Sequence, residues 1–300
     1  MSDGAVPAWD SGNLVDLLTL APAGPMHFRN RFGDANAHDR AYGGQILGQA
    51  LMAAALTVAE DRVPTMMQFL FLQGTWHREA IDLVVTALQD GKRFSSRHVR
   101  GTQAGNRMVL DAQVSFAVPW QAPGHMAPAY AAVRDEDPER LPPLAALPQA
   151  WSADLQRSVG YAFDPAAVVD LRFAHPAPGL QLTLPEPRIR FWLKLRHKLP
   201  EGAHLHAAAF AYLSDYWINY CAVGGHVRPL LEDGRRLYVA SLNHALWLHR
   251  SLRADQWLHF DCTSPSASDG RGMAVARVHD RRGRLVASAT QECLMAPAEA

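Results

Sequence analysis

Apolar and polar residues recur with two different periods along this chain. Residues 42–59 have the composition of a strong helix, and residues 205–225 are apolar on nearly every side, which is typical of a helix that other elements enclose. Elsewhere apolar residues recur at every second position, which predicts strands with one buried face. Residues 188–198 show this alternation most clearly, and it assigns Trp192 to the face opposite the buried one. The predicted strands are 26–31, 66–76, 81–89, 94–103, 108–118, 188–198, 236–248, 257–263, 271–279 and 285–295, and the predicted short helices are 13–20, 147–157 and 165–170.

The order of these elements favours an α+β fold. A helix precedes a run of strands in each half, and the turn residues at 104–105 and 280–283 predict antiparallel hairpins. Residues 119–187 contain 12 of the 20 prolines, which indicates an extended connector. The predicted parts are therefore an N-terminal domain at 1–118, a connector at 119–187 and a C-terminal domain at 188–300.

The two halves also resemble each other. Residues 94–119 superpose on residues 272–297 without a gap, so that Gly105 aligns with Gly283 and Gln113 with Gln291. Two copies of a helix and four strands predict a pseudo-two-fold molecule in which each sheet wraps its own helix. Small residues in the first helix (Gly44, Gly48 and Ala55) indicate that another backbone approaches it closely. A nucleotide-binding loop is not indicated, because the strand–GxGxxG–helix context is missing.

Charge and cysteine content narrow the functional classes. Lys+Arg and Asp+Glu both number 29, which removes a global electrostatic case for binding nucleic acid or an acidic membrane surface. The three cysteines are far apart and lack CxxC spacing, so neither a disulfide framework nor a zinc site is indicated. The first residues lack a secretory signal pattern, and no run approaches the ~18 apolar residues of a membrane span. We expect a cytoplasmic protein with reduced thiols.

Asp215 stands in the middle of the predicted apolar helix at 205–225. A carboxylate in such surroundings is costly unless it is paired, hydrogen-bonded or used, and buried carboxylates are candidate functional groups. The helix alone leaves two interpretations open. Ser214 or Asp215 caps a shorter helix that begins at Tyr216, or Asp215 takes part in chemistry.

Four segments together resemble the acyl-CoA thioesterase II (TesB-like) family. They are YGGQILGQAL from Tyr42, YLSDY from Tyr212, ASLNHALWLHR from Ala240 and ATQE from Ala289. The resemblance runs from about residue 13 to 297 and is weakest in the connector. It implies a double hotdog fold, which is two helix-wrapped antiparallel sheets joined in one chain. It also implies an enzyme of fatty acid metabolism that hydrolyses acyl-CoA to a carboxylic acid and CoA, without a cofactor. Homo-oligomers, either dimers or tetramers, are common in the family, and the oligomeric state of this chain stays open.

The resemblance further implies that Asp215, Ser241 and Gln291 position a water molecule. The family usually has Thr at the position of Ser241, and serine keeps the hydroxyl group. Asn243 stands where Asp is common, and no role is assigned to it. Asp215 would accept the proton of the water, and apolar surroundings would raise its pKa toward neutrality by desolvation. A serine hydroxyl and a glutamine amide have the donors and acceptors to hold the water.

Residues that would contact the substrate follow from the same segments. Backbone N–H groups at Gly43 and Gly44 are candidates for the oxyanion site, because glycine allows close approach and a helix N-terminus favours negative charge. His244 and Trp247 are candidates for lining the substrate site. The acyl group and the arginines that contact CoA stay open.

Several reaction classes lack their motifs here. The sequence has no GxSxG elbow, no recognisable nucleophilic cysteine and no HExxH, which favours direct attack by water and no metal. Two alternatives remain. One is a non-catalytic acyl-CoA-binding or sensing protein with the same fold. The other is a hotdog hydratase or dehydratase, which pairs an Asp with a His a few residues later, whereas no His follows Asp215 before His226.

Overall fold

Two compact units divide the chain in the computed structural model, which describes residues 4–10, 12–36, 38–129, 133, 136–160, 168–173 and 186–298. The first unit contains the described residues up to His125 together with His197–Asp215 and Asn243–Ala254, and the second contains the other described residues. No helix in these ranges is both long enough and apolar enough to cross a membrane.

Short helices and twelve strands make up the regular structure of the described residues. The helices are α1 (Leu14–Leu18), α2 (Gly43–Ala55), α3 (Gln149–Val159), α4 (Ala203–Ser214), α5 (Tyr220–Val223) and α6 (Val227–Glu232), with 3-10 turns at Pro138–Arg140, Leu144–Ala146 and Gly224–His226. The strands are β1 (Leu20–Gly24), β2 (His27–Asn30), β3 (Val63–Phe71), β4 (Asp82–Asp90), β5 (Phe94–Gln103), β6 (Arg107–Ala117), β7 (Val169–Phe173), β8 (Arg188–Leu195), β9 (Arg236–Leu248), β10 (Leu258–Ser268), β11 (Arg271–Asp280) and β12 (Leu285–Ala298).

The first unit is an antiparallel sheet with two buried helices. Its strands run in the order β1-β2-β4-β5-β6-β3, and the second part of β9 pairs with β3, with Met66 opposite Trp247. The predicted β5–β6 hairpin is confirmed, because Ala104 and Gly105 both have positive φ, as a tight hairpin turn requires. Both α2 and α4 belong to this unit.

Glycines set the distance between α2 and α4. A Cβ atom on Gly48 would lie 2.9 Å from the carbonyl oxygen of Ala208, and one on Gly44 would lie 2.3 Å from that of Tyr212. Any larger residue would push the helices apart. The predicted close approach of a second backbone at Gly44 and Gly48 is therefore confirmed, and its partner is α4.

The second unit holds the antiparallel strands β12-β11-β10-β8-β7. Alternation along β8 buries Phe191, which stacks on Phe260 of β10 with ring centroids 5.0 Å apart. The assignment of Trp192 to a polar face is wrong. Trp192 is fully buried against Val133 and Trp257, because residues from the connector cover that face and its indole N–H donates to Glu136 at 2.6 Å.

The prediction of one long helix at 205–225 is also wrong, and so is the alternative of a shorter helix that begins at Tyr216 with Ser214 or Asp215 as its cap. Helix α4 ends at Ser214, and Asp215 occupies its C-terminal cap, where its N–H bonds the carbonyl of Leu213. The chain then leaves the helical path at Trp217, which has φ of 57°. Hydrophobic content cannot reveal this break, because the residues on both sides of it are buried.

Other element boundaries also differ from prediction. Strand β1 occupies 20–24, where breaker residues were expected, because a strand at the edge of a sheet tolerates Pro22. Strand β3 spans 63–71, where 66–76 was predicted. The helix expected at 165–170 falls partly outside the described residues, and Asp170 at its end belongs to strand β7.

Candidate active site

Asp215 lies where α4 ends and α2 begins. A Cβ atom on Gly43 would lie 2.4 Å from Oδ2 of Asp215 and 3.3 Å from the ring of Phe71. The carboxylate is therefore in close contact with the first residue of α2. Asp215 is half-buried.

Ser241 and Gln291 are in direct contact in the second unit. Nε2 of Gln291 on β12 donates a hydrogen bond to Oγ of Ser241 on β9 at 2.6 Å. Gln291 is fully buried, whereas Ser241 is half-buried. Because the serine oxygen accepts this bond, its own proton can be donated to another group.

The two copies of the internal repeat differ at the glutamine that they share. Gln113, which aligns with Gln291, is exposed on β6 and lies opposite Gln68 on β3. In the second copy, the glutamine at this position is buried and bonded to a serine. In the first copy, the equivalent glutamine is exposed to solvent.

His244 and Trp247 occupy different environments on β9. His244 is 1% exposed, and its Nε2 lies 2.9 Å from Oγ of Ser214, the residue before Asp215. Trp247 is 36% exposed. Of the two predicted substrate contacts, Trp247 offers an accessible apolar surface, and His244 contacts the last turn of α4.

Sequence reasoning gave no role to three residues that hold the start of α2 in place. The hydroxyl of Tyr212 donates to Oδ2 of Asp34 at 3.0 Å, and the hydroxyl of Tyr42 donates to the carbonyl of Tyr212 at 3.2 Å. The two tyrosine rings also meet edge to face at 5.1 Å. The spacing of three between Tyr212 and Asp215 is a signal for a shared helix face. Asp34 carries no such signal, because 178 residues separate it from Tyr212.

Three arginines on or near the strands already have partners within the chain. Arg97 is buried and bonds both carboxylate oxygens of Asp90, at 2.9 and 3.1 Å. Hydrogen bonds from Ser95 and then Arg97 lower the pKa of Asp90. Arg93 stacks over the ring of Trp120 at 3.5 Å, and Arg271 pairs with Glu292 at 3.0 Å.

All three cysteines are buried in the second unit. Burial raises the pKa of Cys221 to about 12 and that of Cys293 to about 11, and it raises the pKa of Cys262 as well. The thiolate is the nucleophilic form of cysteine, so these environments disfavour a cysteine nucleophile.

Comparisons with known proteins agree with this fold and these motifs. A family model described as the acyl-CoA thioesterase N-terminal domain matches residues 33–117, and one described as the C-terminal domain matches residues 135–295. The chain is 30% identical to acyl-coenzyme A thioesterase 8 of Homo sapiens over 93% of this chain and 87% of that protein.

Solved structures give the same result. The crystal structure of acyl-CoA thioesterase II TesB2 from Mycobacterium marinum has a TM-score of 0.74 and 26% identity, and the match covers 95% of this chain and 98% of that one. A conserved protein with a hot dog fold from Alicyclobacillus acidocaldarius has a TM-score of 0.73 at 14% identity, over 98% and 100% of the two chains, which supports the fold alone. The chain therefore belongs to the acyl-CoA thioesterase family and has the double hotdog fold that its resemblance to TesB-like proteins implied.

Proposed function

We propose that this protein hydrolyses acyl-CoA thioesters by direct attack of water, with Asp215 as general base and with Ser241 and Gln291 orienting the water. Membership of the family makes the chain a thioester hydrolase. The observation that carries the finer proposal is the 2.6 Å hydrogen bond between Gln291 and Ser241. Two of the three residues that the family pattern implies are in contact, although 50 positions separate them in the chain.

The reaction needs a base, an oriented nucleophile and a site for the oxyanion. Asp215 takes a proton from the water while the water oxygen bonds to the thioester carbonyl carbon. Backbone N–H groups at Gly43 and Gly44 are the proposed donors to the resulting oxyanion. When the intermediate collapses, the carbon–sulfur bond breaks, and the CoA sulfur takes up the proton that Asp215 holds.

The close contact between Gly43 and Asp215 supports this division of roles. Base and oxyanion donors must flank the same carbonyl group, and the carboxylate lies against the first residue of α2. Trp247 is the proposed apolar contact for the acyl chain, because its side chain is partly exposed.

Further proposals accompany this function. Acyl-CoA is the proposed partner molecule, the cytoplasm the proposed location and a homo-oligomer the proposed assembly. A domain division at residues 118 and 188 is also proposed, and the N-terminal family model, which ends at residue 117, supports the first of these boundaries.

Release of free thiol from a panel of acyl-CoA esters tests the mechanism. The panel runs from acetyl to palmitoyl and includes branched and aromatic esters, so it also identifies the preferred acyl group. We expect Asp215→Asn to lower kcat by ~10² or more, since general-base contributions are of that size. Ser241→Ala and Gln291→Ala should also lower kcat, because each removes one partner of the bond that orients the water.

Gln113→Ala is the matched control for Gln291→Ala, because it changes the aligned but exposed glutamine of the first repeat. It should leave kcat unchanged. Absence of turnover with every ester would refute the proposed hydrolysis. Turnover that survives Asp215→Asn would exclude this residue as the base.

A further inference from the structure

A buried chain of two hydrogen bonds connects strand β9 to the end of helix α4. Nε2 of His244 lies 2.9 Å from Oγ of Ser214, and that oxygen lies 2.8 Å from the carbonyl oxygen of Ala211. Both His244 and Ser214 are buried, at 1% and 0% exposure. Asp215 is the next residue of the chain.

The distances assign the protons in this chain of bonds. Two oxygen atoms 2.8 Å apart repel each other unless a proton lies between them, and a carbonyl oxygen has none to give. The hydroxyl proton of Ser214 therefore points to Ala211. The serine oxygen must then accept at its other contact, so Nε2 of His244 carries a proton and donates it.

We propose that His244 is a positioning residue that acts through Ser214 to hold Asp215 in place for the reaction. This inference rests on the proposed function of Asp215 as the base. Helix α4 stops at Ser214, and Trp217 has φ of 57°, so no following helical turn holds the Asp215 peptide. The bond from His244 supplies a fixed point at that place.

The strand gives His244 a rigid base. Its backbone pairs with Phe69 in the interior of the β3–β9 ladder, and its neighbour Asn243 pairs with Leu70. The first residue of α2 also leaves no room for a Cβ atom beside Asp215. The carboxylate thus contacts a glycine of α2, and the residue before it is bonded to β9.

This role replaces the expectation that His244 contacts the substrate. A side chain that is 1% exposed has no surface to offer a ligand, and its Nε2 already bonds Ser214. His244 therefore acts on the reaction through the position of Asp215, where an error of about 1 Å in a catalytic group can cost about 10²-fold in rate.

Steady-state kinetics on the preferred acyl-CoA test the proposal. His244→Phe removes the donor and keeps a planar ring, and Ser214→Ala removes the acceptor. Each should lower kcat at least ~10-fold and leave KM within about twofold, because positioning of the base affects the chemical step. The double variant should be no slower than the slower single variant, because both changes break the same connection. His244→Gln, which keeps an N–H donor on a flexible chain, should recover part of the rate.

His206→Phe is the control for general damage to the fold. His206 is also buried and lies in the first turn of α4, where its Nδ1 accepts a bond from the backbone N–H of Ala254. It should lower thermal stability without changing kcat. Wild-type kcat in His244→Phe, or additive losses in the double variant, would overturn the positioning role.

A nitrogen NMR spectrum of the imidazoles at neutral pH gives a readout that does not depend on activity. We expect a proton on Nε2 of His244 and a change in that signal in Ser214→Ala. A neutral ring with its proton on Nδ1 would refute the proposal while leaving the hydrolase function intact. Failure of the wild type to turn over any ester would instead refute the proposed function, and the positioning role with it.

Discussion

Gly43 and Asp215 are so close that a Cβ atom at position 43 would displace one of them. The Cβ of any other residue at position 43 would lie 2.4 Å from Oδ2 and 3.2 Å from Cγ of Asp215. Real Cβ atoms do not approach other atoms so closely, so either the carboxylate or α2 would have to move. Gly43 has no positive φ. The lack of room for a Cβ atom, and not the backbone conformation, therefore explains why position 43 is a glycine.

Gly43→Ala should therefore lower kcat by about 10²-fold, because it displaces the proposed base. Thiol release with the preferred acyl-CoA measures the effect. Gly124→Ala is the control, since a Cβ atom there has no neighbour within 4 Å. Equal kcat values for the two variants would contradict the prediction that a Cβ atom at position 43 displaces Asp215.

The buried thiols give a second test at this scale. Because burial raises the pKa values of Cys221, Cys262 and Cys293, a disulfide reagent at pH 8 should label none of the three in the folded enzyme and all three after unfolding. Blocking reagents should leave thioesterase activity intact. Rapid labelling of the native protein with loss of activity would reopen a cysteine mechanism.

Helix α2 shows how an element can be apolar in pattern and still depend on polar contacts. Gln45 and Gln49 are fully buried in it and bond each other at 3.1 Å. Oε1 of Gln45 accepts from the N–H of Asp34 at 2.6 Å, and Nε2 of Gln49 donates to the carbonyl of Leu17 at 2.8 Å. The two glutamines thereby attach the segment before α2 and helix α1 to one face of α2.

Gln45→Leu should reduce the free energy of unfolding by about 2 kcal/mol or more, since an unsatisfied buried polar group costs about 1–3 kcal/mol. The substitution keeps similar bulk but removes the partner of the Asp34 N–H. Urea unfolding compares this variant with Gln113→Leu, which changes an exposed glutamine and should alter stability by less than about 0.5 kcal/mol. Equal losses would mean that the buried amide contributes nothing specific.

The stability of the whole chain should depend on pH through two buried histidines. His259 and His279 face each other across β10 and β11, and their Nδ1 atoms have no hydrogen-bond partner among the described residues. Burial lowers the pKa of His259 to about 3, although Asp261 opposes the effect, and burial lowers the pKa of His279 as well. Both rings therefore stay neutral in the fold at pH values where unfolded histidines, with pKa near 6.5, bind protons.

The sign of the effect follows from this difference. Above pH 6.5 these rings are unprotonated in both the folded and the unfolded state. As the pH falls below 6.5, the unfolded state binds protons at these rings and the folded state does not. The free energy of unfolding should fall by about 1.4 kcal/mol per pH unit for His259 between roughly pH 6 and 3. Urea unfolding at several pH values should show a shallower slope for His259→Gln than for the wild type. An unchanged slope would exclude this histidine as a source of acid sensitivity.

Local pattern predicted the strands well because alternation is a property of neighbouring residues. The predicted ranges 94–103 and 236–248 coincide with β5 and β9. The end of α4 was missed because apolar residues continue from α4 into the segment that follows it. Trp192 was misplaced because the connector that covers it comes from a distant part of the chain.

The sequence by itself determined the α+β class, the helix-and-strand repeat, the family and the residue types of the proposed site, since these follow from local periodicity and short motifs. Tertiary structure decided which of two aligned glutamines is buried against a serine, which histidine bonds Ser214 and which distant carboxylate bonds Tyr212. These contacts join residues 30 to 178 positions apart. They depend on strand register and on the closeness of α2 to α4. Hydrophobic periodicity does not specify these contacts, because the same period of two or 3.6 residues is compatible with many registers.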